Sequence, residues 1–274
     1  MAPAKRAARG GAAAGAGAAA AGSPGAAKAA AGPYTDWRLR GLLAAALAAP
    51  WLAALAWLGA EGLAREAREA ARRAHLGAAL RETGYLSRPD FWALIGALSL
   101  PHATYLWVWT HAEAFYRATR PYMEPFHAFA RVGVVLKLVQ LSAALFYFCG
   151  SSLLLAPEAW WGALRALLAA QAPLQLLLGL ELFALGQLLN VAVYRTIGEA
   201  GVYYGCRLKQ DVPWVYGFPF STVPHPQYVG STLSMWGGVV IAAASAAAVA
   251  QGIYAAGVAL TLLWAFSSWH ESVL

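Results

Sequence analysis

The stretch VGVVLKLVQLSAALFYFCGSSLLLA, Val132–Ala156, contains a single charged residue, Lys137. About 20 predominantly apolar residues are enough for a helix to cross the roughly 30 Å hydrocarbon core of a bilayer. The stretch therefore predicts a membrane-spanning helix. Lys137 falls about 8 Å from its start at 1.5 Å per residue, so its long side chain can reach the headgroups.

Comparable apolar stretches lie on both sides of this one. We predict further spans at Gly41–Ala60, Phe91–Trp109 and Leu174–Tyr194, and two more within Val229–Trp269 with a turn near Gln251-Gly252. A re-entrant segment is the alternative for Gly41–Ala60. Helices are expected because an unpaired backbone group in lipid costs several kcal/mol. The predicted fold is all-α, a polytopic transmembrane helical bundle with about five or six spans and a Pro/Gly-rich interfacial loop.

Composition supports a membrane protein and argues against other classes. The 274 residues are 60% hydrophobic and only 12% charged, about half the charged fraction of a typical soluble domain. The net charge of +7 is spread over loops without a basic face interleaved with aromatic residues, so we expect the membrane and its anionic lipids as partners and no nucleic acid. Two cysteines predict neither a disulfide framework nor a zinc site.

The chain divides into three regions. Residues 1–36 are rich in Ala and Gly and lack an acidic residue before Asp36; we expect a disordered tail, with an organelle transit peptide as the alternative. Residues 37–90 hold the first hydrophobic segment and a charged helix with the i,i+4 pairs Glu61–Arg65 and Glu69–Arg73. Residues 91–274 form the predicted membrane core.

The helix of Leu174–Tyr194 carries two unusual features. Glu181 lies about 10 Å inside it, and an intramembrane carboxylate is a candidate functional group; packing among Gln175, Gln187 and Asn190 is the alternative. Small and polar residues follow at helical spacings, namely Gly179, Gly186, Asn190, Tyr194, Gly198, Gly201 and Gly205. Such a stripe lets either a second helix or a bulky ligand approach closely.

A proline-rich segment, GFPFSTVPHPQYVGS, occupies residues 217–231 between two apolar stretches. Pro219, Pro224 and Pro226 each fix φ and push the preceding residue towards an extended conformation. Irregular backbone at membrane depth is tolerated where it is buried in protein or lines a cavity. The segment therefore predicts a ligand site at the membrane interface, or, as the alternative, a stop between helices.

Three segments here resemble a known enzyme family. VYRTIGEAGVYYGCR (193–207), PWVYGFPF (213–220) and PQYVGS (226–231) resemble the phospholipid N-methyltransferases that make phosphatidylcholine, especially those of plants and algae. The resemblance is dense from Asn190 to Ser231 and looser from Phe91 to the end. The layout is more distantly similar to isoprenylcysteine carboxyl methyltransferases.

This resemblance implies transfer of a methyl group from S-adenosylmethionine to the amine of a phosphatidylethanolamine-type lipid. The implied acceptors are phosphatidyl-N-methylethanolamine and phosphatidyl-N,N-dimethylethanolamine, with phosphatidylethanolamine as a further candidate, and the product is phosphatidylcholine. The family associates the methyl donor with a G-x-G in the membrane helix before the loop and with an acidic pair after the last span. Gly179-Leu180-Glu181 is the nearest match to the first, with glutamate at the second glycine. His270-Glu271 matches the second, with Glu271 as its acid.

Candidate site residues follow from this chemistry. The lipid amine must be neutral to attack, so we predict Glu271 and His225 as bases, with Tyr228 as a hydrogen-bonding partner. The predicted residues for binding S-adenosylmethionine are Gly179, Leu180, Glu181, Gly198, Gly201, Gly205, Arg207, Phe218, Pro219, His270 and Glu271. No metal is expected.

The expected topology places the site on the cytosolic face, because S-adenosylmethionine is cytosolic. Two spans within Val229–Trp269 return Glu271 to the face that carries 195–228, and the three arginines of 110–131 favour the same side. We expect an integral protein of the endoplasmic reticulum, with mitochondrial or plastid membranes as alternatives. A methyltransferase acting on isoprenylcysteine carboxylate and a non-catalytic helical membrane protein are the alternative functions.

Overall fold

The computed structural model describes residues 36–150, 156–213 and 215–273, and within these ranges every regular element is a helix. In chain order the α-helices are α1 (Trp37–Arg73), α2 (Leu76–Ala79), α3 (Pro89–Thr110), α4 (Ala112–Thr119), α5 (Pro125–Cys149), α6 (Trp160–Ala170), α7 (Pro173–Val202), α8 (Pro226–Ala242), α9 (Ala246–Ala250) and α10 (Ile253–Val273), with 3-10 turns at Gly84–Ser87 and Pro157–Ala159. The predicted all-α class is confirmed. The tail that was expected to be disordered lies, up to residue 35, outside the described ranges.

Four of these helices, α1, α3, α5 and α7, are long and apolar enough to cross a membrane. α1, α3 and α7 contain the predicted spans Gly41–Ala60, Phe91–Trp109 and Leu174–Tyr194. α5 contains the first part of the predicted span Val132–Ala156 and ends at Cys149. Gly150 follows with φ at 80°, in the left-handed region that favours glycine. The last apolar stretch forms α8 and α10, and the predicted turn is present at Gly252 with φ at 85°.

The helix α1 joins the first hydrophobic segment to the charged one. Its backbone departs from helical geometry at Gly59 (φ 67°, ψ 172°). Beyond this bend, Glu69 and Arg73 form the predicted ion pair at 2.7 Å. Arg73 also donates hydrogen bonds to the carbonyl oxygens of Ala170 and Gln171, which holds the charged segment against the start of α7.

Polar contacts gather α4, α5 and the segment after α7 at one end of the bundle. The Lys209 Nζ lies 2.8 Å from a carboxylate oxygen of Glu113, and the Gln210 amide donates to Glu124 at 3.1 Å. The segments 110–131 and 195–228 therefore meet at one end, as the expected topology requires. We call it the loop end.

Glycines bring α7 and α8 into close contact. A Cβ added at Gly186 would lie 2.4 Å from the Gly230 carbonyl oxygen, and one added at Gly230 would lie 2.8 Å from the Gly186 carbonyl oxygen. Gly179 and Gly237 meet in the same reciprocal way, with a Cβ on Gly237 placed 2.6 Å from the Gly179 carbonyl oxygen. This part of the glycine stripe is a helix–helix interface, where small residues let two backbones approach.

The carboxylate of Glu181 is bound by the first helix. Trp51 donates its indole N–H to Glu181 Oε2 at 2.7 Å, whereas Gln175 donates to the Val240 carbonyl and Gln187 to the Ser234 hydroxyl. The partner expected among the polar residues of α7 itself is thus replaced by a residue of α1.

This arrangement places three residues of the predicted cofactor site away from the loop end. Gly179 packs against α8, Leu180 is 53% exposed on the outer surface, and Glu181 pairs with α1. About 26 Å of helical rise separates Glu181 from Gly198. The structure does not bring Gly179, Leu180 and Glu181 to the loop end, because the helix carries them towards its opposite end. There Gly179 and Glu181 make contacts between helices.

We expect Trp51→Phe to destabilise the fold without entering the chemistry. The substitution keeps an aromatic side chain but leaves the Glu181 carboxylate without its donor, at a cost of about 1–3 kcal/mol. Thermal inactivation in detergent should shift to lower temperature, while turnover of the protein that remains folded stays near wild type. The exposed Trp57 on the same helix provides the control, since Trp57→Phe should leave the inactivation temperature unchanged.

Candidate active site

The loop end begins where α7 loses its regular geometry. Gly198 has φ at 66° and ψ at −176°, a conformation that a side chain would strain. After the helix ends at Val202, Tyr204 adopts a left-handed φ of 57°. Gly205 donates its N–H to the Ala200 carbonyl, and a Cβ there would lie 2.5 Å from that oxygen. The chain is thereby folded back towards the bundle.

Glu271 is the centre of the site. Its Oε1 atom accepts hydrogen bonds from two tyrosine hydroxyls, those of Tyr204 and Tyr228. Tyr204 follows α7, Tyr228 lies in the first turn of α8, and Glu271 lies at the end of α10. Three elements far apart in sequence thus converge on one carboxylate, and the predicted pairing of Glu271 with Tyr228 is found in the geometry.

An aromatic cluster fixes the position of Tyr204. This side chain is buried, with ring centroids 5.0 Å from Trp109 and 5.1 Å from Phe129. Tyr105 of α3 meets the same ring edge to face at 6.1 Å. Aromatic pairs at these separations stabilise each other beyond their burial, so the hydroxyl is held against Glu271 by rings from α3 and α5.

A small cavity adjoins the carboxylate. Its lining residues are Leu106, Trp109, Tyr204, Ser267, His270 and Glu271. Two of them, Trp109 and His270, carry a buried ring nitrogen that has no hydrogen-bond partner in the described part of the chain. Buried polar groups are nearly always paired with protein, water or ligand, so these nitrogens mark a place for a polar group beside Glu271.

The electrostatics of the site suit a base. Glu271 lies two residues after Trp269, beyond the predicted apolar stretch. Burial raises the pKa of its carboxyl, while the hydrogen bonds from the two tyrosines lower it. Burial also raises the pKa of the Tyr204 hydroxyl, which therefore stays protonated and remains a donor. A carboxylate with a raised pKa is a stronger proton acceptor near neutral pH.

His225 lies next to this group but on the exposed side. It precedes α8 with a left-handed φ of 44°, its Nε2 is 3.2 Å from the Ser272 hydroxyl, and its ring is 6.3 Å from that of Tyr228. The predicted pair of bases is thus brought together, with Glu271 within the aromatic cluster and His225 at the surface.

The remaining predicted residues fall into two groups at the loop end. Arg207 stacks its guanidinium on Trp109 at 4.6 Å and donates to the Trp109 carbonyl at 3.1 Å. Pro219 is buried, and the Phe218 carbonyl accepts a hydrogen bond from Thr196 of α7 at 3.3 Å. Arg207 thus contacts a residue of the cavity beside Glu271, and the Pro-rich segment is fastened to α7.

Sequence reasoning missed Tyr204 and Trp109. The signal for the first was present, since the tyrosines at 203 and 204 lie between Gly201 and Gly205 of the glycine stripe, but the left-handed φ of Tyr204 sets the direction of its ring. Trp109 ends the predicted span Phe91–Trp109, and tryptophan is common at the ends of membrane helices, so its position carried no signal of a site. Their roles depend on contacts between α3, α7 and α10 that no local pattern encodes.

Comparison with known proteins places these residues in a family. The phospholipid methyltransferase family model matches residues 174–274, which include the loop, Tyr204, Tyr228 and Glu271. The phosphatidyl-N-methylethanolamine N-methyltransferase of Arabidopsis thaliana is 38% identical over 143 residues, which cover 52% of this chain and 74% of that relative. The chain belongs to the phospholipid methyltransferase family. No solved structure matches it.

Membership of this family makes the protein a membrane methyltransferase and confirms the resemblance seen in the sequence. It also implies S-adenosylmethionine as the methyl donor, a ligand with amino, carboxylate and ribose groups to be bound. The loop end offers matching polar atoms, because the hydroxyls of Ser221 and Thr222 are buried without partners in the described chain, as are the ring nitrogens of Trp109 and His270. The residues present fit such a ligand.

We expect Tyr204→Phe to lower turnover roughly ten-fold and to move the acid limb of the pH–rate profile to higher pH. The removed hydroxyl lowers the pKa of Glu271, so its loss raises that pKa and the carboxylate becomes protonated at a higher pH. A profile of kcat/KM against pH measures the shift. Tyr216→Phe, an exposed tyrosine of the same loop, should leave the limb in place; an unmoved limb in the Tyr204 variant would contradict the assignment.

Proposed function

We propose that this protein methylates phosphatidyl-N-methylethanolamine and phosphatidyl-N,N-dimethylethanolamine to phosphatidylcholine at the loop end, with Glu271 as the base. The observation that carries the proposal is the Glu271 carboxylate held by Tyr204 and Tyr228, within the region that matches the family. The name of the Arabidopsis relative supports the monomethylated lipid as an acceptor.

The chemistry assigns a step to each group. When bound, S-adenosylmethionine supplies an electrophilic methyl carbon: a C–N bond to the lipid amine forms as the C–S bond breaks, and the sulfonium becomes a neutral thioether. Glu271 takes the proton that the lipid ammonium must lose before its nitrogen can attack. Tyr204 and Tyr228 orient the carboxylate, and positioning of this kind contributes much of the rate in a bimolecular transfer.

Aromatic rings around the carboxylate suit the charges of both substrates. A sulfonium and an ammonium are attracted to the faces of tyrosine and tryptophan, and Trp109 and Tyr204 line the cavity beside Glu271. Trp109 already holds the guanidinium of Arg207 at 4.6 Å. We assign cation recognition to these two rings.

The methyl donor is assigned to the loop end alone. His270 and Glu271 line the cavity, Arg207 supplies a donor for its carboxylate, and Phe218 and Pro219 belong to the segment that closes this end. Three glycines of the predicted set, Gly198, Gly201 and Gly205, shape the turn that positions Tyr204. Gly179, Leu180 and Glu181 are not part of this proposal.

Sidedness follows from the methyl donor. The protein is an integral membrane protein with four candidate spans among the described helices, and we place its loop end in the cytosol, where S-adenosylmethionine is available. The endoplasmic reticulum is the proposed membrane. The arginines of the charged part of α1 and of the residues that follow it count against this orientation by the positive-inside rule, since Arg73 joins this part to the start of α7. The arginines of 110–131 favour the orientation.

Acceptor specificity tests the proposal. Purified protein in mixed micelles is given methyl-labelled S-adenosylmethionine with phosphatidylethanolamine, its monomethyl or its dimethyl form, each separately, and the labelled lipids are resolved by chromatography. We expect label from the monomethyl and dimethyl lipids to appear in phosphatidylcholine. If none of the three lipids is labelled, an isoprenylated cysteine is offered in the same assay, and label in its methyl ester would transfer the same chemistry to another acceptor. Absence of S-adenosylmethionine binding would overturn the enzymatic role.

A further inference from the structure

A groove between α8 and α10 opens beside the candidate active site. It has a volume of about 290 Å³, and all of its lining residues belong to the end of the loop, α8 or α10. Tyr228 and His225 line the groove near the loop end, and Trp264 lines it farther from that end. Because the Tyr228 hydroxyl is bonded to Glu271, this tyrosine is a wall shared by the groove and the catalytic carboxylate.

Two hydroxyls of the groove depart from the usual pattern of helical serine and threonine. Such residues in apolar helices commonly donate to the carbonyl four residues earlier, and Thr104, Thr196 and Thr261 do so here. Thr232 and Ser268, by contrast, make no side-chain hydrogen bond in the described part of the chain. The groove thus presents two free hydroxyls in otherwise largely apolar surroundings.

The spacing of these groups corresponds to the parts of a phospholipid. Thr232 lies one turn of α8 farther from the loop end than Tyr228, about 6 Å along the helix. Ser268 lies about 4.5 Å farther from the loop end along α10 than Glu271. The amine of an amino-phospholipid is likewise separated from its ester carbonyls by the ethanolamine, the phosphate and the glycerol. A carboxylate for the amine and hydroxyls for the esters must therefore lie at different depths, as they do here.

We propose that the groove between α8 and α10 binds the glycerol-ester region and the upper part of one acyl chain of the amino-phospholipid substrate, with Thr232 and Ser268 as donors to its ester oxygens. This inference rests on the proposed function. It gives the lipid a lateral path from the bilayer to Glu271, since the substrate enters between two helices without leaving the membrane. The methyl donor occupies the other side of Glu271, next to Trp109.

Kinetics of two variants test the donors. Thr232→Val combined with Ser268→Ala should raise the KM for the dimethylated lipid about 3- to 10-fold, as expected for lost hydrogen bonds, and should leave the KM for S-adenosylmethionine unchanged. Ser142→Ala, which removes an exposed hydroxyl of α5, is the matched control with no change in either value. If the wild-type protein makes phosphatidylcholine and the double variant has an unchanged KM for the lipid, the proposed lipid site in the groove is wrong. The proposed methyltransferase function would then still stand.

Photo-crosslinking tests the acyl path independently of turnover. A dimethylated phospholipid with a diazirine near the top of one acyl chain should form adducts with peptides of α8 and α10. Ala265 lines the groove and is exposed, so Ala265→Trp should fill it and reduce these adducts, whether or not the protein transfers methyl groups. Adducts spread over other helices and unaffected by this substitution would contradict the proposal, and failure of methyl transfer alone would count only against the proposed function.

Discussion

We expect Glu271→Gln to lower turnover about 100- to 10,000-fold and to leave the protein folded in the membrane. The amide keeps the size of the side chain and an oxygen that accepts from Tyr204 and Tyr228, but it cannot take a proton from the lipid ammonium. The loss should appear in kcat, measured with methyl-labelled S-adenosylmethionine and dimethylated lipid at saturating concentrations. Binding of both substrates should persist within a few-fold.

A matched control is available on another helix. Glu181 is also a membrane carboxylate with an indole donor, Trp51, but it lies about 26 Å of helical rise from Gly198. Glu181→Gln keeps an acceptor for Trp51 and should retain near wild-type turnover. Equal loss in both variants would show that the assay reports folding, and near-normal turnover of Glu271→Gln would remove Glu271 from the role of base.

We expect Gly186→Ala to destabilise the protein strongly, because the added methyl group has no space. Its Cβ would lie 2.3 Å from Ser234 Oγ, 2.4 Å from the Gly230 carbonyl oxygen and 2.5 Å from the Ser234 nitrogen. Two of these neighbours are backbone atoms, so α7 and α8 must separate. Overpacking of this kind costs about 1–3 kcal/mol, and sometimes more.

The measurement is the temperature at which the detergent-solubilised protein loses half of its methyltransferase activity. Gly238→Ala is the control, since Gly238 lies in α8 and an added Cβ meets nothing within 4 Å. We expect a clear fall for Gly186→Ala and none for the control. Equal stability of the two variants would contradict the close helix contact that positions Tyr204 and Tyr228 together.

Local sequence patterns determined most of the helices and only part of the site. The apolar stretches located α1, α3, α5 and α7 because span length is a property of neighbouring residues. The glycine stripe was compatible with both a helix and a ligand, and the structure assigns Gly179 and Gly186 to the helix. The ends of the helices were less predictable, since α5 ends at Cys149, just before Gly150.

The proximity of the candidate site residues was predictable where chemistry and resemblance agreed. Glu271, Tyr228 and His225 were named together and are found together. Tyr204 was missed because its inward direction depends on a left-handed backbone and on rings from α3 and α5. The bond from Trp51 to Glu181 joins residues 130 positions apart, and no periodicity of either helix encodes it.

The formation of phosphatidylcholine from phosphatidyl-N,N-dimethylethanolamine tests the central claim most directly. Purified wild-type protein and Glu271→Gln are compared side by side with labelled S-adenosylmethionine, and the labelled lipid is quantified over time. We expect rapid labelling of phosphatidylcholine by the wild type and almost none by the variant. A wild-type protein that binds both substrates yet labels no phospholipid would contradict it.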